Sequence, residues 1–557
     1  MDHAAGRYCS EGRTTSARFV CLAVLVVALL VLPTLGRRVI QAADEARFPL
    51  LARDMLERGV WFNAQVRGRV FHEKPPLYPW AIAVLAKAQG GLTEATAQIP
   101  VALAAVGTVW FTCLLGRQLF SARAGLWAGL VLATSIGFFV ETQALLPDML
   151  VACFMMAAGW LFWRAASDPS ASRALTGFYV ALALAVFAKG PLGVLPLLVG
   201  GTWLWSEYGL AGVRRLWDRV GVAAFVLLTL VWLVPYVGYG PSSFTQDVLW
   251  EDWLKWYVGR PEVLKLASRV GDAALRFLPW TIVLPLVAIR AARERRHPGV
   301  RFVVLWVAIA LLVVLSSNNF RTRYLLPLYP ALALLVAYWA ETFRAPGSRS
   351  AQVVAGFALV VGAVGLTAIL SPSTFGAEDL AFLDGARGQV APIAIGLLVI
   401  VAAIVWGLWA ARNGLLVWGV VAGGVILLTS ANWLHVEWAN RDGDFRTLAS
   451  AVERQARGTE LRVFGGRFYA LDFYVARPVL QLRTPEEFND FVLEARHPVV
   501  LIDAPRGWVF VQKTAPRAVR VLDRIRVRGR DMLIVGIPQA STVLPRRDSR
   551  EDHTTRL

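Results

Sequence analysis

Apolar runs recur along most of this chain, unbroken and without the alternation of half-buried strands. They fall near residues 19–35, 98–116, 124–140, 148–163, 174–188, 191–205, 220–238, 276–289, 302–316, 324–340, 351–370, 390–410 and 414–431. Runs of this kind suit helices crossing a hydrocarbon core about 30 Å thick. A barrel would need alternating segments of roughly ten residues. The pattern predicts a polytopic α-helical membrane protein with about thirteen transmembrane helices. Residues 77–90 (LYPWAIAVLAKAQG) are apolar but short, and read as a helix lying on the outer surface, with Lys87 as a headgroup anchor.

The pattern changes after about residue 436. FRTLASAVERQ reads as a helix that Asp444 can cap, and PEEFNDFVLEA as a second helix. LRVFGG, HPVVLIDA and DMLIVGI read as short buried strands. This predicts a transmembrane domain over 1–435, a small C-terminal α/β domain over 436–540 and a disordered tail over 541–557.

Composition agrees: the 557 residues are 56% hydrophobic and only 17% charged, against about 25% charged in soluble proteins. Mean hydropathy is +0.52. The net charge is +18, and all but six of the 57 basic residues are Arg. A basic balance can mean nucleic acid, but here the arginines sit in short loops where they orient helices, so no nucleic-acid partner is expected. With a cytoplasmic N-terminus, Arg117 and Arg123, Arg164 and Arg173, Arg214, Arg215 and Arg219, Arg290 to Arg301, Arg344 and Arg349, and Arg412 all fall in inner loops. Arg37 and Arg38, at the start of the first outer loop, are the exception. Treating 77–90 as a span would invert every later loop. Thirteen crossings put the C-terminal domain outside, together with two long loops, 36–97 and 239–275.

The first run follows Arg7, Arg13 and Arg18 and could be a signal peptide with a weak cleavage site at Ala42-Ala43. A retained span is the preferred reading, because the residues just after it look functional. Cys21, Cys113 and Cys153 lie in apolar runs and Cys9 in the N-terminal tail, so no structural disulfide is expected. No CxxC or HxxxH spacing marks a zinc site.

Five polar clusters stand out: Asp44-Glu45-Ala46-Arg47, His72-Glu73-Lys74-Pro75-Pro76, Pro147-Asp148, Lys189-Gly190-Pro191, and Asn318-Asn319-Phe320-Arg321-Thr322-Arg323-Tyr324. Each has a plain alternative: a solvated juxtamembrane turn for the first, a proline-marked loop for the second. Lys189 lies between apolar helices, where a charge needs an anionic partner. The topology drawn from loop charge nevertheless puts all five on the outer face. Carboxylates there could take a proton from an attacking hydroxyl, and Lys and Arg could hold a phosphate. Together they describe a transferase with a phosphate leaving group. A transporter or flippase of lipid-linked sugars would place ionisable groups near mid-membrane on two matching halves, and no such repeat is visible. A surface-polysaccharide polymerase or ligase is a third reading.

DEAR at 44–47, FHEKPP at 71–76, Lys189-Gly190-Pro191, Leu278-Pro279-Trp280 and RYLLPLYP at 323–330 together resemble the bacterial lipid A aminoarabinose transferases and the related protein O-mannosyltransferases, within the GT-C superfamily. Order and spacing agree over residues 19–340. The resemblance implies a bacterial inner-membrane enzyme whose site and C-terminal domain are extracytoplasmic. It implies an inverting transfer from a polyprenyl-phosphate sugar to a lipid A-like glycolipid or a protein hydroxyl. Asp44 would be the catalytic base, with Glu45 beside it. Arg47, Glu73, Lys74 and Tyr324 would line the donor-phosphate site; the polar clusters themselves add Lys189, Arg321 and Arg323 to it, and Asp148, Glu251 and Asp252 as residues that shape it or meet the acceptor. In aminoarabinose transferases a His in the second long loop helps hold a metal. Here Trp250-Glu251-Asp252-Trp253 has no His, so no metal ligand is assigned, although Glu251 or Asp252 could bind a harder divalent cation. His72 also stands where the family often has an aromatic residue.

Overall fold

The computed structural model describes residues 18–71, 74–168, 171–238, 263–315, 317, 320–342, 348–374, 383, 387–410, 412–456, 459–465, 468–475, 479–495, 497–503, 506–514 and 519–536. The chain divides into two compact units, Met1–Ile40 with Asp44–Arg441, and Gln41–Ala43 with Asp442–Leu557.

The first unit is helical. It runs α1 (Arg18–Thr34), α2 (Ala43–Arg58), a hairpin of β1 (Gln65–Val66) and β2 (Arg69–Val70), α3 (Leu77–Gln89), α4 (Glu94–Leu119), α5 (Ala122–Ala133), α6 (Ile136–Gln143), α7 (Asp148–Ser167), α8 (Ser172–Lys189), α9 (Leu195–Val213), α10 (Arg219–Gly238), α11 (Val263–Arg276), α12 (Leu284–Arg293), α13 (Pro298–Leu315), α14 (Leu328–Thr342), α15 (Arg349–Leu370), α16 (Ala391–Trp409) and α17 (Asn413–Asp442). Among the described residues seven helices are long and apolar enough to cross a membrane: α4, α7, α10, α13, α15, α16 and the one beginning at Asn413. Two bent pairs, α5 with α6 at 62° and α11 with α12 at 110°, raise the number to nine. The other four expected segments carry helix in α1, α8, α9 and α14.

Local chemistry sets the helix ends. Thr93 and Thr96 cap the start of α4 reciprocally, and the Ser121 and Ser348 hydroxyls accept the first free N–H groups of α5 and α15. α8 stops at Gly190, whose φ of 90° suits a residue without a side chain. The short α3 buries Tyr78, Ile82, Ala83 and Ala86 and exposes Val84. The Tyr78 hydroxyl donates to the Ala97 carbonyl at 2.9 Å, tying α3 to α4. Deeper in the bundle, Phe162 stacks on Phe302 at 5.6 Å, with Trp163 and Trp203 packed around them.

The second unit is an α/β sheet. Its elements are α18 (Phe445–Gln455), β3 (Leu461–Phe464), α19 (Tyr469–Tyr474), β4 (Leu480–Leu482), α20 (Pro485–Glu494), β5 (Val499–Asp503), α21 (Arg506–Thr514), β6 (Arg520–Val527) and β7 (Arg530–Gly536). The strand order is β4-β3-β5-β7-β6. β3 runs parallel to β4 and β5, and β7 is antiparallel to β5 and β6, with Leu501 opposite Ile534. Asp444 caps α18 by accepting from the Arg446 and Thr447 amides. Phe488, Ile502 and Val535 are fully enclosed in the core. β4 and β6 add two strands to the three expected.

Candidate active site

Asp44 lies in the first turn of α2, where a carboxylate complements the positive end of the helix dipole. Its Oδ1 is 3.2 Å from Arg47 Nη2, one turn along the same helix. Its Oδ2 faces two guanidinium groups from the turn after α13, Arg321 Nη1 at 3.2 Å and Arg323 Nη2 at 3.5 Å. The Asp44 side chain keeps 31% of its surface exposed. Three arginines thus converge on one accessible carboxylate from positions as far apart in sequence as 47 and 323.

Glu45 points elsewhere. Its Oε1 accepts from Arg38 at 2.6 Å and from the Leu145 amide at 3.3 Å, and the residue is buried. Its other oxygen is buried and has no hydrogen bond among the described residues. The same Arg38 guanidinium donates to the Gln143 carbonyl at 3.0 Å. Adjacent acidic residues on a helix face different sides, so Asp44 meets the arginine cluster and Glu45 fastens α2 to the segment after α6.

Beside the cluster lies a closed ion pair. Asp148 opens α7 and Lys189 ends α8, so each charge suits the helix terminus that carries it. Lys189 Nζ donates to Asp148 Oδ1, and both side chains are only 6% exposed. The ammonium sits 4.3 Å from the centre of the Tyr324 ring, and the Arg323 guanidinium lies 5.8 Å from that centre. Tyr324 is therefore the plate between the two charge clusters. The structure sets the Lys189 charge against Asp148, not toward open space.

Lys74 is half-buried, and its charge is close enough to act on Lys189. Its backbone is fixed from α10: the Tyr236 hydroxyl reaches the Lys74 and Phe71 carbonyls at 2.8 and 3.1 Å. Phe71 in turn lies 5.6 Å from the Arg47 guanidinium. Glu73, Glu251 and Asp252 fall outside the described residues, as do Asn318 and Asn319. Among the described residues no group of three or more His, Cys, Asp or Glu could hold a metal ion.

Two further groups join the site that were not read from the sequence. Glu141, in α6, is buried and pairs with Arg276 at 3.6 Å. Its charge also acts on Asp148, Arg323 and Lys189. The readable signal was an ionisable residue inside the apolar stretch GFFVETQ.

Residues 73–239 match the family of dolichyl-phosphate-mannose-protein mannosyltransferases. A relative from Sodalis glossinidius, an undecaprenyl phosphate-alpha-4-amino-4-deoxy-L-arabinose arabinosyl transferase, is 26% identical over 438 residues, or 74% of this chain and 72% of its own length. A protein of that name from Serratia proteamaculans is 24% identical over 421 residues, 73% of this chain and 74% of its own. The fold is similar to the crystal structure of ArnT from Cupriavidus metallidurans bound to undecaprenyl phosphate, with a TM-score of 0.76, 20% identity, and coverage of 93% of this chain and 97% of that one. A more distant likeness, TM-score 0.51 at 10% identity, links it to the oligosaccharyltransferase AglB of Archaeoglobus fulgidus, over 87% of this chain and 69% of that one. In sequence and in fold the chain is thus similar to the aminoarabinose transferases, and over residues 73–239 to the dolichyl-phosphate-mannose-protein mannosyltransferases.

Proposed function

We propose that this enzyme transfers a glycosyl group from a polyprenyl-phosphate carrier to a hydroxyl on a lipid A-like glycolipid or a protein, at the outer face of the bacterial inner membrane. The observation that carries the reading is the exposed Asp44 carboxylate bracketed by Arg47, Arg321 and Arg323. Guanidinium forks suit phosphate oxygens, both those of the donor's phosphodiester and those of the departing polyprenyl phosphate. The relatives' names support the donor class: they act on an undecaprenyl-phosphate sugar, and the similar ArnT structure holds undecaprenyl phosphate.

Asp44 removes the proton from the acceptor hydroxyl. The freed oxygen attacks the anomeric carbon from the face opposite the phosphate, the bond from that carbon to the phosphate oxygen breaks, and the configuration inverts. The leaving polyprenyl phosphate carries the electron pair away, and Lys74 with Arg47 or Arg323 stabilises its charge. The arginines rest against Asp44. A phosphate that draws Arg321 and Arg323 toward itself uncovers Oδ2, so donor binding readies the base. Glu45 and Lys189 act indirectly, Glu45 by fixing α2 through Arg38 and Lys189 by neutralising Asp148 beneath Tyr324. The motif around it assigns Glu73 to the phosphate site as well, and Glu251 and Asp252 remain the candidates for shaping the site or meeting the acceptor.

The test is product identification. Purified protein is incubated with a panel of undecaprenyl-phosphate pentoses and hexoses and with glycolipid and peptide acceptors. The expected result is free undecaprenyl phosphate and a glycosylated acceptor from one member of the panel. Donor moved across a vesicle membrane with its glycosyl–phosphate bond intact would show a flippase instead.

A further inference from the structure

We infer that Arg269 is a positioning residue for the donor-phosphate site: it fastens the turn that carries Arg321 and Arg323 to the end of α13. The inference rests on the proposed function, because it takes those two arginines as the phosphate clamp.

Arg269 lies mid-way along α11 and is 6% exposed. A buried guanidinium is costly unless its charge and its donors are met. No carboxylate pairs with it among the described residues. Its Nη1 instead donates to the Leu315 carbonyl at 2.6 Å and to the Ser317 carbonyl at 2.8 Å. Leu315 is the last residue of α13, so its carbonyl is one of the orphan acceptors of a helix C-terminus. That terminus also carries the negative end of the helix dipole, which offsets a cation. Phe320 completes the environment, with its ring centre 5.2 Å from the guanidinium carbon. Among the described residues this buried charge therefore meets Leu315, Ser317 and Phe320, all within six positions of one another. The next residue is Arg321 and the third is Arg323, the two whose guanidinium groups meet Asp44.

α11 is held to the site at a second point. Arg276, two turns beyond Arg269 and hence on nearly the same face, pairs with Glu141. The helix that follows the second long loop is thus bolted to α6 at one end and to the clamp turn at its middle. An apolar side chain at 269 would fill the same space but would leave the Leu315 and Ser317 carbonyls without donors. The turn would then relax, and Arg321 and Arg323 would lose their aim at a common point. A one-ångström loss of aim costs more in binding than in fold, because the clamp works only when both guanidinium groups converge.

The test measures undecaprenyl phosphate binding by titration calorimetry in detergent micelles, with thermal unfolding of the same samples. Arg269→Gln is expected to weaken binding roughly tenfold, the size of one charge-assisted hydrogen bond lost from the clamp. Arg269→Lys should recover part of it, since an ammonium still suits the helix terminus but spans the two carbonyls less well. In a protein already carrying Arg321→Ala and Arg323→Ala, Arg269→Gln should change affinity by less than about twofold, because nothing is left for it to aim. Phe320→Leu should weaken binding in the same direction and serves if Arg269→Gln does not fold. Arg269→Gln within twofold of the parent, or a full tenfold loss persisting in the Arg321→Ala and Arg323→Ala background, would overturn the inference. If Arg321→Ala with Arg323→Ala leaves affinity intact, the phosphate reading itself falls.

Discussion

Two charge clusters share Tyr324 but are built on opposite terms. At Asp44 a carboxylate meets three arginines, and its side chain remains about one-third exposed. At Asp148 one carboxylate meets one lysine, and both side chains are almost wholly enclosed. Exposure decides what each can do. An open pair gains little from its own Coulomb energy, because solvent screens it. Its partners are exchangeable, and a phosphate can displace the carboxylate from the arginines. A closed pair cannot exchange partners without stranding a charge in a poorly solvated interior. The first cluster is suited to binding and chemistry, the second to holding α7 and α8 in register beneath it.

The comparison breaks first at the closed pair. Lys189→Met strands the Asp148 carboxylate and should cost about 3–5 kcal/mol of stability, the usual penalty for half of a buried ion pair. Lys189→Met combined with Asp148→Leu should recover most of that loss, since no charge is then left unmet. Thermal unfolding in detergent reads both variants, and a single variant as stable as the parent would mean that the pair is not closed. The open cluster should fail in the other way. Asp44→Asn keeps the shape but cannot accept a proton, so transfer should fall by about 10²-fold or more while undecaprenyl phosphate still binds. Near-normal turnover in that variant would remove Asp44 from the role of base.

Much of this was legible in the sequence, because the physics of a membrane is severe. Ionisable residues in apolar runs need partners, which is why Asp148 and Lys189 could be picked out before their contact was known. Arg37 and Arg38 were visible only as a break in the loop-charge pattern, and that break was itself the signal. Arg38 is spent on Glu45 and the Gln143 carbonyl, to both of which it donates. Arg37 sits 5.1 Å from the Trp433 ring, and its carbonyl accepts from Asn440. Partner choice was not legible: adjacent letters hid that Asp44 and Glu45 face different sides. Nor did Arg269 stand out, because its acceptors are backbone carbonyls that no sequence motif records. In the second unit the buried strand VVLID was plain, while β6, RVLDRIRV, was not. Its charges suit an exposed edge strand and dilute the apolar signal.

The smallest expected effect sharpens the contrast, because it compares two lysines of the open side. Lys74 is half-buried, and Lys87 is exposed near the end of α3. If Lys74 holds the leaving group, Lys74→Ala should weaken binding of undecaprenyl phosphate by about tenfold, the value of one charge-assisted hydrogen bond. Lys87→Ala should shift it by less than about twofold, because a solvated charge away from the site is screened. Lys74→Arg should restore only part, since a planar guanidinium does not put its charge where the ammonium was. The competing account makes Lys74 a strut that merely fixes the loop whose carbonyls Tyr236 holds. Under that account Lys74→Ala lowers the unfolding temperature but leaves the affinity of the folded fraction unchanged. Under the phosphate reading the affinity falls while the fold survives, because the Tyr236 hydroxyl bonds to backbone carbonyls that an alanine at 74 retains.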